Sequence, residues 1–155
     1  MNYLRKMDEL CHSLSLMQAR IFERSVENGI PSYFFIKSFM LSSDASDLDN
    51  LYLEKAGITE QEIYANIASK ITINRGIILP YNIIHFIGYF YRSAAYLLNV
   101  SSKFLLNNIS PKFLVNNYPT LHSLKIEDAI KESVDANGIK LKSLEELFIE
   151  AYKKL

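Results

Sequence analysis

The chain has 155 residues, 49% of them hydrophobic, and its 17 acidic side chains balance its 17 basic ones. This composition excludes a disordered chain, because there is enough apolar side-chain surface to form a core. The balanced charge excludes a long-range field that would favour nucleic acid or an anionic membrane. The length predicts a single domain over residues 1–155.

Cysteine usage and the N-terminal composition bear on the cellular compartment. Cys11 is the only cysteine, so the chain forms no internal disulfide, as is common in a reducing compartment. The first thirteen residues, MNYLRKMDELCHS, lack the apolar segment of a signal peptide. We therefore expect a cytoplasmic protein.

Apolar periodicity and capping signals predict helices in the first third of the chain. An apolar stripe from Leu4 to Leu14 indicates a helix near the N-terminus. That helix either runs to the stop signal Asn28-Gly29 or is reset at Ser15, which begins the possible capping box S-x-x-Q. Ser32 is a candidate cap for a short, nearly uncharged helix over 32–42, which belongs either to the core or to an interface across a two-fold axis.

Two further helices and a loop are expected before residue 80. An acidic helix begins at Ser43 or Asp44 and stops at Gly57. The capping box that starts at Thr59 opens the next helix. The β-branched segment 71–76, ITINRG, has no evident strand partner, and we interpret it as a loop.

The run from Pro80 to Asn99 is the central helix of the expected fold. It is apolar on most of its circumference, so it requires cover on nearly every side. Gly88 lies inside it at a cost of up to about 1 kcal/mol, which indicates close approach of a neighbouring backbone at a helix crossing. Asn82, His85 and Arg92 interrupt the apolar run, which favours a buried helix over a membrane span.

The narrow remaining face of this helix is the candidate partner-binding site. Its residues are spaced by four, three and four, so they form one ridge: His85, Tyr89, Arg92 and Tyr96. An arginine in so apolar a helix needs a carboxylate partner or access to water. In one interpretation Arg92 pairs within the chain, with Asp44, Asp47, Asp49 or Glu54 as candidates. In the other the ridge is open and contacts a protein partner.

After the central helix the chain nearly repeats itself, with SKFLLNNI at 102–109 and PKFLVNNY at 111–118. Each copy follows an N-cap, Ser101 or Ser110, and ends in Asn-Asn, which predicts two short helical segments end to end. Ser123 is expected to cap a helix that stops at Asn137-Gly138.

The last predicted helix, residues 143–155, opens at the capping residue Ser143 and has a clean apolar face. The turn before it makes residues 139–155 the most detachable part of the chain. This amphipathic helix either packs on its own domain or docks on a partner. Exchange of the helix between chains stays open.

Motifs for common chemistries are absent from the sequence. There is no glycine-rich phosphate loop, no nucleophile elbow and no metal-ligand spacing among the three histidines. The carboxylate pairs at residues 47/49 and 127/128 fall on polar helix faces. We therefore predict a non-enzymatic protein with no catalytic residues, no metal and no cofactor.

Residues 53–59, LEKAGIT, followed by Ile63, match the turn of a helix-turn-helix. An alternative function is therefore a DNA-binding regulator that uses about residues 45–70. Its candidate contact residues are Thr59, Gln61, Lys70 and Arg75. The would-be recognition helix opens with Glu60, Gln61 and Glu62, which carry the wrong charge for phosphates, so a purely structural helix pair is favoured.

A set of short segments between about residues 15 and 131 resembles a family of small helical bacterial proteins encoded beside ADP-ribosyltransferase-like toxins. The segments are Phe35-Ile36-Lys37, Phe39-Met40, Leu48-Asp49, Ala56-Gly57, Ile87-Gly88-Tyr89, Tyr91-Arg92, Ser101-Ser102-Lys103, Tyr118, His122 and Ala129-Ile130. The resemblance implies an antitoxin that neutralises its cognate toxin by forming a complex. Residues 143–155 lie outside the resemblance.

Together these patterns predict an all-α, single compact domain of seven to nine helices around residues 80–99. The expected function is that of an antitoxin-like protein-binding module, with no membrane contact. A homodimer remains open.

Overall fold

The computed structural model describes residues 3–51 and 58–155, and every regular element in those ranges is a helix. The all-α prediction is confirmed. The helices are α1 (Glu9–Glu27), α2 (Ser32–Met40), α3 (Ser43–Asp49), α4 (Glu60–Ala68), α5 (Tyr81–Leu98), α6 (Ser102–Asn108), α7 (Pro111–Leu121), α8 (Ile126–Ala136) and α9 (Leu144–Lys153). None of these helices is long and apolar enough to cross a membrane.

Side-chain oxygens cap most helix starts. The caps expected at Thr59, Ser101, Ser110 and Ser143 are confirmed, since each accepts a backbone N–H three residues on. Asp8 caps α1 in the same way, so the first helix begins at Glu9 rather than near Leu4. α3 is capped by Ser42, not by Ser43 or Asp44. Lys125, not Ser123, is the N-cap residue of α8.

Distant contacts account for the outcome at two positions, one where two alternatives were open and one where the expected cap is wrong. α1 is not reset at Ser15, because the buried Ser15 hydroxyl lies 2.8 Å from the Ser93 hydroxyl on α5 and keeps its place inside a continuous helix. Ser32 does not cap α2. Its hydroxyl instead accepts the Leu79 N–H at 2.8 Å, and its N–H donates to the Ile77 carbonyl at 2.8 Å.

Those two bonds hold the segment 71–80 against the start of α2. The segment contains neither helix nor strand, which confirms the loop expected at 71–76. The acidic helix ends at Asp49, because Asn50 is its C-cap and Leu51 adopts a left-handed φ of 57°. The expected stop at Gly57, the residue Glu54 and the turn of the helix-turn-helix pattern lie outside the described residues.

The second copy of the repeat does not end at its Asn-Asn pair. α7 instead continues through Pro119 to Leu121. Asn117 donates its side-chain amide to the Phe113 carbonyl at 2.8 Å and stays within the helix. The stops at Asn28-Gly29 and Asn137-Gly138 are confirmed.

α5 is the centre of the domain, as predicted, and packs most extensively along α1, with α6, α7 and α8 also against it. A Cβ at Gly88 would lie only 2.9 Å from the Ala19 Cα, which confirms that the glycine permits a close crossing of α1 and α5. One face of α2 belongs to the core: Phe35 and Phe39 are fully buried and pack edge-on against Phe22. Phe34 on the same helix is 43% exposed.

Candidate functional site

The predicted ridge on α5 does not form one exposed surface. His85, Tyr89 and Tyr96 are partly exposed, whereas Arg92 is 2% exposed and ranks among the largest fully buried side chains. Arg92 is therefore not part of an exposed partner-binding surface, because a partner could reach its guanidinium only if the core opened. The intramolecular pair, one of the two alternatives for Arg92, is the arrangement present.

Arg92 joins four helices through its guanidinium. Its Nη1 donates to Asp49 Oδ1 at 2.7 Å, its Nε to Gln18 Oε1 at 2.7 Å and its Nη2 to the Ser102 hydroxyl at 3.0 Å. Asp49 also accepts the Ser102 hydroxyl at 2.6 Å and the Ser102 backbone N–H at 2.8 Å. We call Gln18, Asp49, Arg92 and Ser102 the arginine junction. It ties α3 and the start of α6 to the α1–α5 core.

Burial lowers the pKa of Arg92, and the neighbouring Asp49 carboxylate opposes that shift. An arginine guanidinium keeps its charge even so, because it is not deprotonated in proteins. The Asp49 carboxylate thus compensates the positive charge of Arg92 inside the core, and the hydrogen bonds of the junction fix how the helices pack.

Tyr96 lies at the N-terminal end of α1. Its hydroxyl donates to Asp8 Oδ2 at 2.7 Å, and the Arg5 guanidinium lies 5.9 Å from the centre of its ring. The hydrogen bond to Asp8 raises the pKa of Tyr96. The pKa of Asp8 is lowered, chiefly by the N–H of Cys11 and then by the Tyr96 hydroxyl. This end of the ridge reinforces the cap of α1.

The other two ridge residues, His85 and Tyr89, open onto a groove of about 460 Å³. Helices α1, α5 and α7 form its walls, and we call it the aromatic groove. It is lined by Leu16, Glu23, Tyr81, Asn82, His85, Phe86, Tyr89, Tyr118 and His122. Its size falls within the roughly 300–1,000 Å³ that ligand pockets occupy.

Glu23 is the carboxylate of the groove. His85 Nδ1 is hydrogen-bonded to Glu23 Oε1, and because a carboxylate only accepts, that nitrogen carries the proton. The Tyr81 hydroxyl donates to Glu23 Oε2 at 2.8 Å and lies 3.4 Å from Glu27 Oε1. The bond to Glu23 is the main reason that the pKa of Tyr81 is raised to about 12. Glu23 thereby fixes the orientation of two rings.

The far wall of the groove is a stack of aromatic rings on α5 and α7. The Tyr118 and His122 rings are 4.4 Å apart and inclined by 11°, and Phe86 meets Tyr118 edge-on at 5.5 Å. Asn82 donates its amide to the Tyr118 hydroxyl at 3.0 Å, which holds that ring from the side of α5. Contacts within the protein therefore fix the orientation of these rings.

At the near wall, the Tyr89 hydroxyl lies 2.7 Å from His12 Nδ1 on α1. Burial is the main cause of the raised pKa of Tyr89. Although all three histidines touch the groove or its rim, no group of metal ligands occurs among the residues that the structure describes. Sequence reasoning missed Glu23, Tyr81 and His12, because nothing in their local pattern sets them apart.

A second surface is the apolar face of α9. Phe148 is 73% exposed, Tyr152 70% and Leu155 fully exposed, and no side chain in residues 145–153 is buried. The spacing of four places Phe148 and Tyr152 on one face of α9, and Leu155 follows just beyond the end of the helix. In this structure the described side chains of α9 are therefore not buried against the rest of the domain, which was one of the two alternatives for this helix. The face is uncovered.

The residues of the DNA-binding alternative are spread over both ends of α4. Thr59 is engaged as the N-cap of α4, with its hydroxyl accepting the Glu62 N–H at 3.1 Å. Gln61 is exposed in the first turn, while Lys70 and Arg75 are exposed beyond the other end. They do not form one basic face with the start of the helix, where acidic residues lie.

No protein-family model, no curated protein and no solved structure matches the chain.

Proposed function

We propose that the protein is a non-enzymatic binding module of the cytoplasm that neutralises a cognate toxin by forming a stoichiometric complex with it. The observation that carries this proposal is the uncovered apolar face of α9, formed by Phe148 and Tyr152 and continued by Leu155 just beyond the helix. The identification of the partner as a toxin is what the family resemblance implies.

The size of the exposed face favours a protein as its cover. Burying one such side chain is worth about 2 kcal/mol, so the three together offer about 6 kcal/mol before the cost of association. A helix of 10 residues is also marginal by itself in water and is stabilised when an apolar face is packed. Side chains at positions i, i+4 and i+7 are the usual anchors of a helix that docks in a groove of its partner.

Three residues of the arginine junction, Asp49, Arg92 and Ser102, belong to segments that carry the family resemblance. Three of the segments that carry it, Leu48-Asp49, Tyr91-Arg92 and Ser101-Ser102, meet at this one polar cluster. In this chain these three segments therefore contact one another. The toxin-binding role is inherited by analogy with that family.

The test is co-expression of the chain with the product of the adjacent gene, followed by size exclusion and a growth assay. We expect a complex of fixed stoichiometry and rescue of growth. The double variant Phe148→Ser/Tyr152→Ser should weaken the complex by at least about 30-fold, the effect of losing one hot spot of 2 kcal/mol.

A matched control lies on the opposite face of the same helix. Glu146→Ser/Lys153→Ser makes the same number of serine substitutions and leaves the net charge unchanged. This control should bind as the wild type does. If neither a complex nor growth rescue is seen with the wild type, the proposed function is wrong.

The oligomeric state of the isolated chain shows whether the α9 face binds a different protein or a second copy of this chain. We expect a monomer by light scattering at micromolar concentration. A dimer that Phe148→Ser/Tyr152→Ser dissociates and Glu146→Ser/Lys153→Ser does not would assign the α9 face to a homodimer. That result would remove the observation on which the toxin complex rests.

A further inference from the structure

We infer that the aromatic groove binds an arginine side chain of the protein partner, because a carboxylate pair lies beside an open array of tyrosine and phenylalanine rings. The inference rests on the proposed function for the source of the arginine, since a partner protein must supply it. It concerns a surface separate from the α9 face, none of whose residues lines the groove.

The charge of the groove favours a cation. Glu23 lines it, and Glu27 lies at its rim within 3.4 Å of the Tyr81 hydroxyl. No lysine or arginine is among the described residues that line it. A carboxylate offers about four lone-pair positions, and Glu23 uses one for His85 and one for Tyr81. Capacity therefore remains for a further donor.

The ring faces add to that attraction. Tyr81, Phe86, Tyr89 and Tyr118 contribute aromatic surface to the groove, and Tyr81 is 48% exposed. A cation within about 6 Å of a ring centre is attracted by the negative face of the ring. The side chain Arg24 makes such a contact with Tyr64 elsewhere on α1, at 5.8 Å, so the geometry already occurs in this protein.

Among cations, the shape and chemistry favour arginine over a small ion. The groove wall is mostly apolar, which suits the three methylene groups of an arginine stem, while the charged head reaches the carboxylates. A planar guanidinium also stacks on tyrosine rings and donates several hydrogen bonds to carboxylates at once, whereas an ammonium is a compact and strongly hydrated charge.

An anionic ligand is disfavoured by the same residues. The proton on His85 Nδ1 is already used by Glu23, and an anion would face both Glu23 and Glu27. A neutral aromatic ligand would find the rings but would leave the carboxylates without a new partner. The recognised feature is therefore positive charge on an apolar stem.

The probe for this site is propylguanidinium, titrated into the full chain with its tyrosines isotope-labelled for NMR. Propylurea is the matched control ligand, because it has nearly the same shape and no charge. We expect saturable shifts of the ring signals of Tyr81, Tyr89 and Tyr118, with propylguanidinium binding at least tenfold more tightly than propylurea.

Variants of the carboxylates separate charge from shape. Glu23→Gln should weaken propylguanidinium binding about threefold or more. Glu27→Gln, a change at an exposed residue, should have an effect of the same size. Glu9→Gln is the control on the same helix, about 21 Å away along α1, and should change nothing. Equal binding of propylguanidinium and propylurea, or binding that is indifferent to both carboxylates, would overturn the inference.

The protein complex is measured separately, so the two proposals fail in different ways. If the complex with the adjacent gene product forms and Glu27→Gln weakens it while Glu9→Gln does not, the arginine source is supported. If the complex forms but the groove does not select the cation, this inference is wrong and the proposed function stands. If the cation binds and no complex forms, the partner protein is not its source, and the proposed function fails.

Discussion

Replacing Arg92 with methionine tests whether the arginine junction stabilises the fold. Methionine keeps an apolar stem and removes the hydrogen bonds to Gln18, Asp49 and Ser102. It leaves Asp49, whose side chain is 11% exposed, without its cation. Removal of one partner from a buried ion pair costs about 3–5 kcal/mol. In a domain of this size 1 kcal/mol shifts the melting temperature by about 2–4 °C, so we expect a fall of about 10 °C.

The assay is urea unfolding followed by circular dichroism at 222 nm, with a thermal scan alongside. Arg20→Met is the matched control, because Arg20 pairs with Glu60 at 2.9 Å but is 52% exposed, and such surface pairs are worth at most about 1 kcal/mol. In a double-mutant cycle with Asp49→Asn, the two losses should be non-additive by about 2 kcal/mol. A loss from Arg92→Met no larger than that from Arg20→Met would refute the structural role of the junction.

Three further predictions follow from single contacts. Gly88→Ala should lower the free energy of unfolding, measured in urea, by about 1–2 kcal/mol, because the added Cβ meets the Ala19 Cα at 2.9 Å. This loss should exceed the gain from the better helix propensity of alanine. A gain in stability would contradict the close crossing of α1 and α5. Burial raises the pKa of Cys11 from 9.0 to about 11. The thiol of the folded protein should therefore react with a disulfide reagent at pH 8 at least about 100-fold more slowly than the thiol of the unfolded chain. Equal rates would exclude a buried thiol. The pKa of Asp8 is lowered in the folded state from its ordinary 3.8, so its carboxylate stabilises the fold above that pH, and the stabilisation is lost as the pH falls through the folded value. The difference in the free energy of unfolding between wild type and Asp8→Asn should therefore change as the pH is lowered below 3.8, and a constant difference would contradict the shift.

Much of the helix order was predictable because its signals are local. A serine or threonine hydroxyl reaches an N–H three residues away, as at Thr59 and Ser143, and Asn-Gly stops a helix through its own backbone preference. The expected cap at Ser32 is wrong because of a distant group. No local feature near Ser32 indicates that its hydroxyl accepts the Leu79 N–H. None near Ser15, where two alternatives were open, indicates the contact with Ser93 on another helix.

The candidate site was predictable only in part, and for a physical reason. A buried arginine must find a carboxylate, so Asp49 could be named among four candidates from sequence alone. The choice of Asp49 depends on α3 ending at that residue and meeting the start of α6, which is a matter of packing. Gln18 and Ser102, both neutral, complete the junction without any charge signal that would single them out.

The aromatic groove was beyond prediction because its residues come from three helices. Glu23 and Tyr81 are 58 positions apart, yet their oxygens are 2.8 Å apart. Their meeting follows from the close α1–α5 crossing at Gly88, which brings α1 carboxylates beside the first turns of α5. Where a helix is apolar on most of its circumference, its own pattern does not say which polar side chain meets water. Neighbouring helices decide that, and here they bury Arg92 and leave His85 and Tyr89 at an open groove.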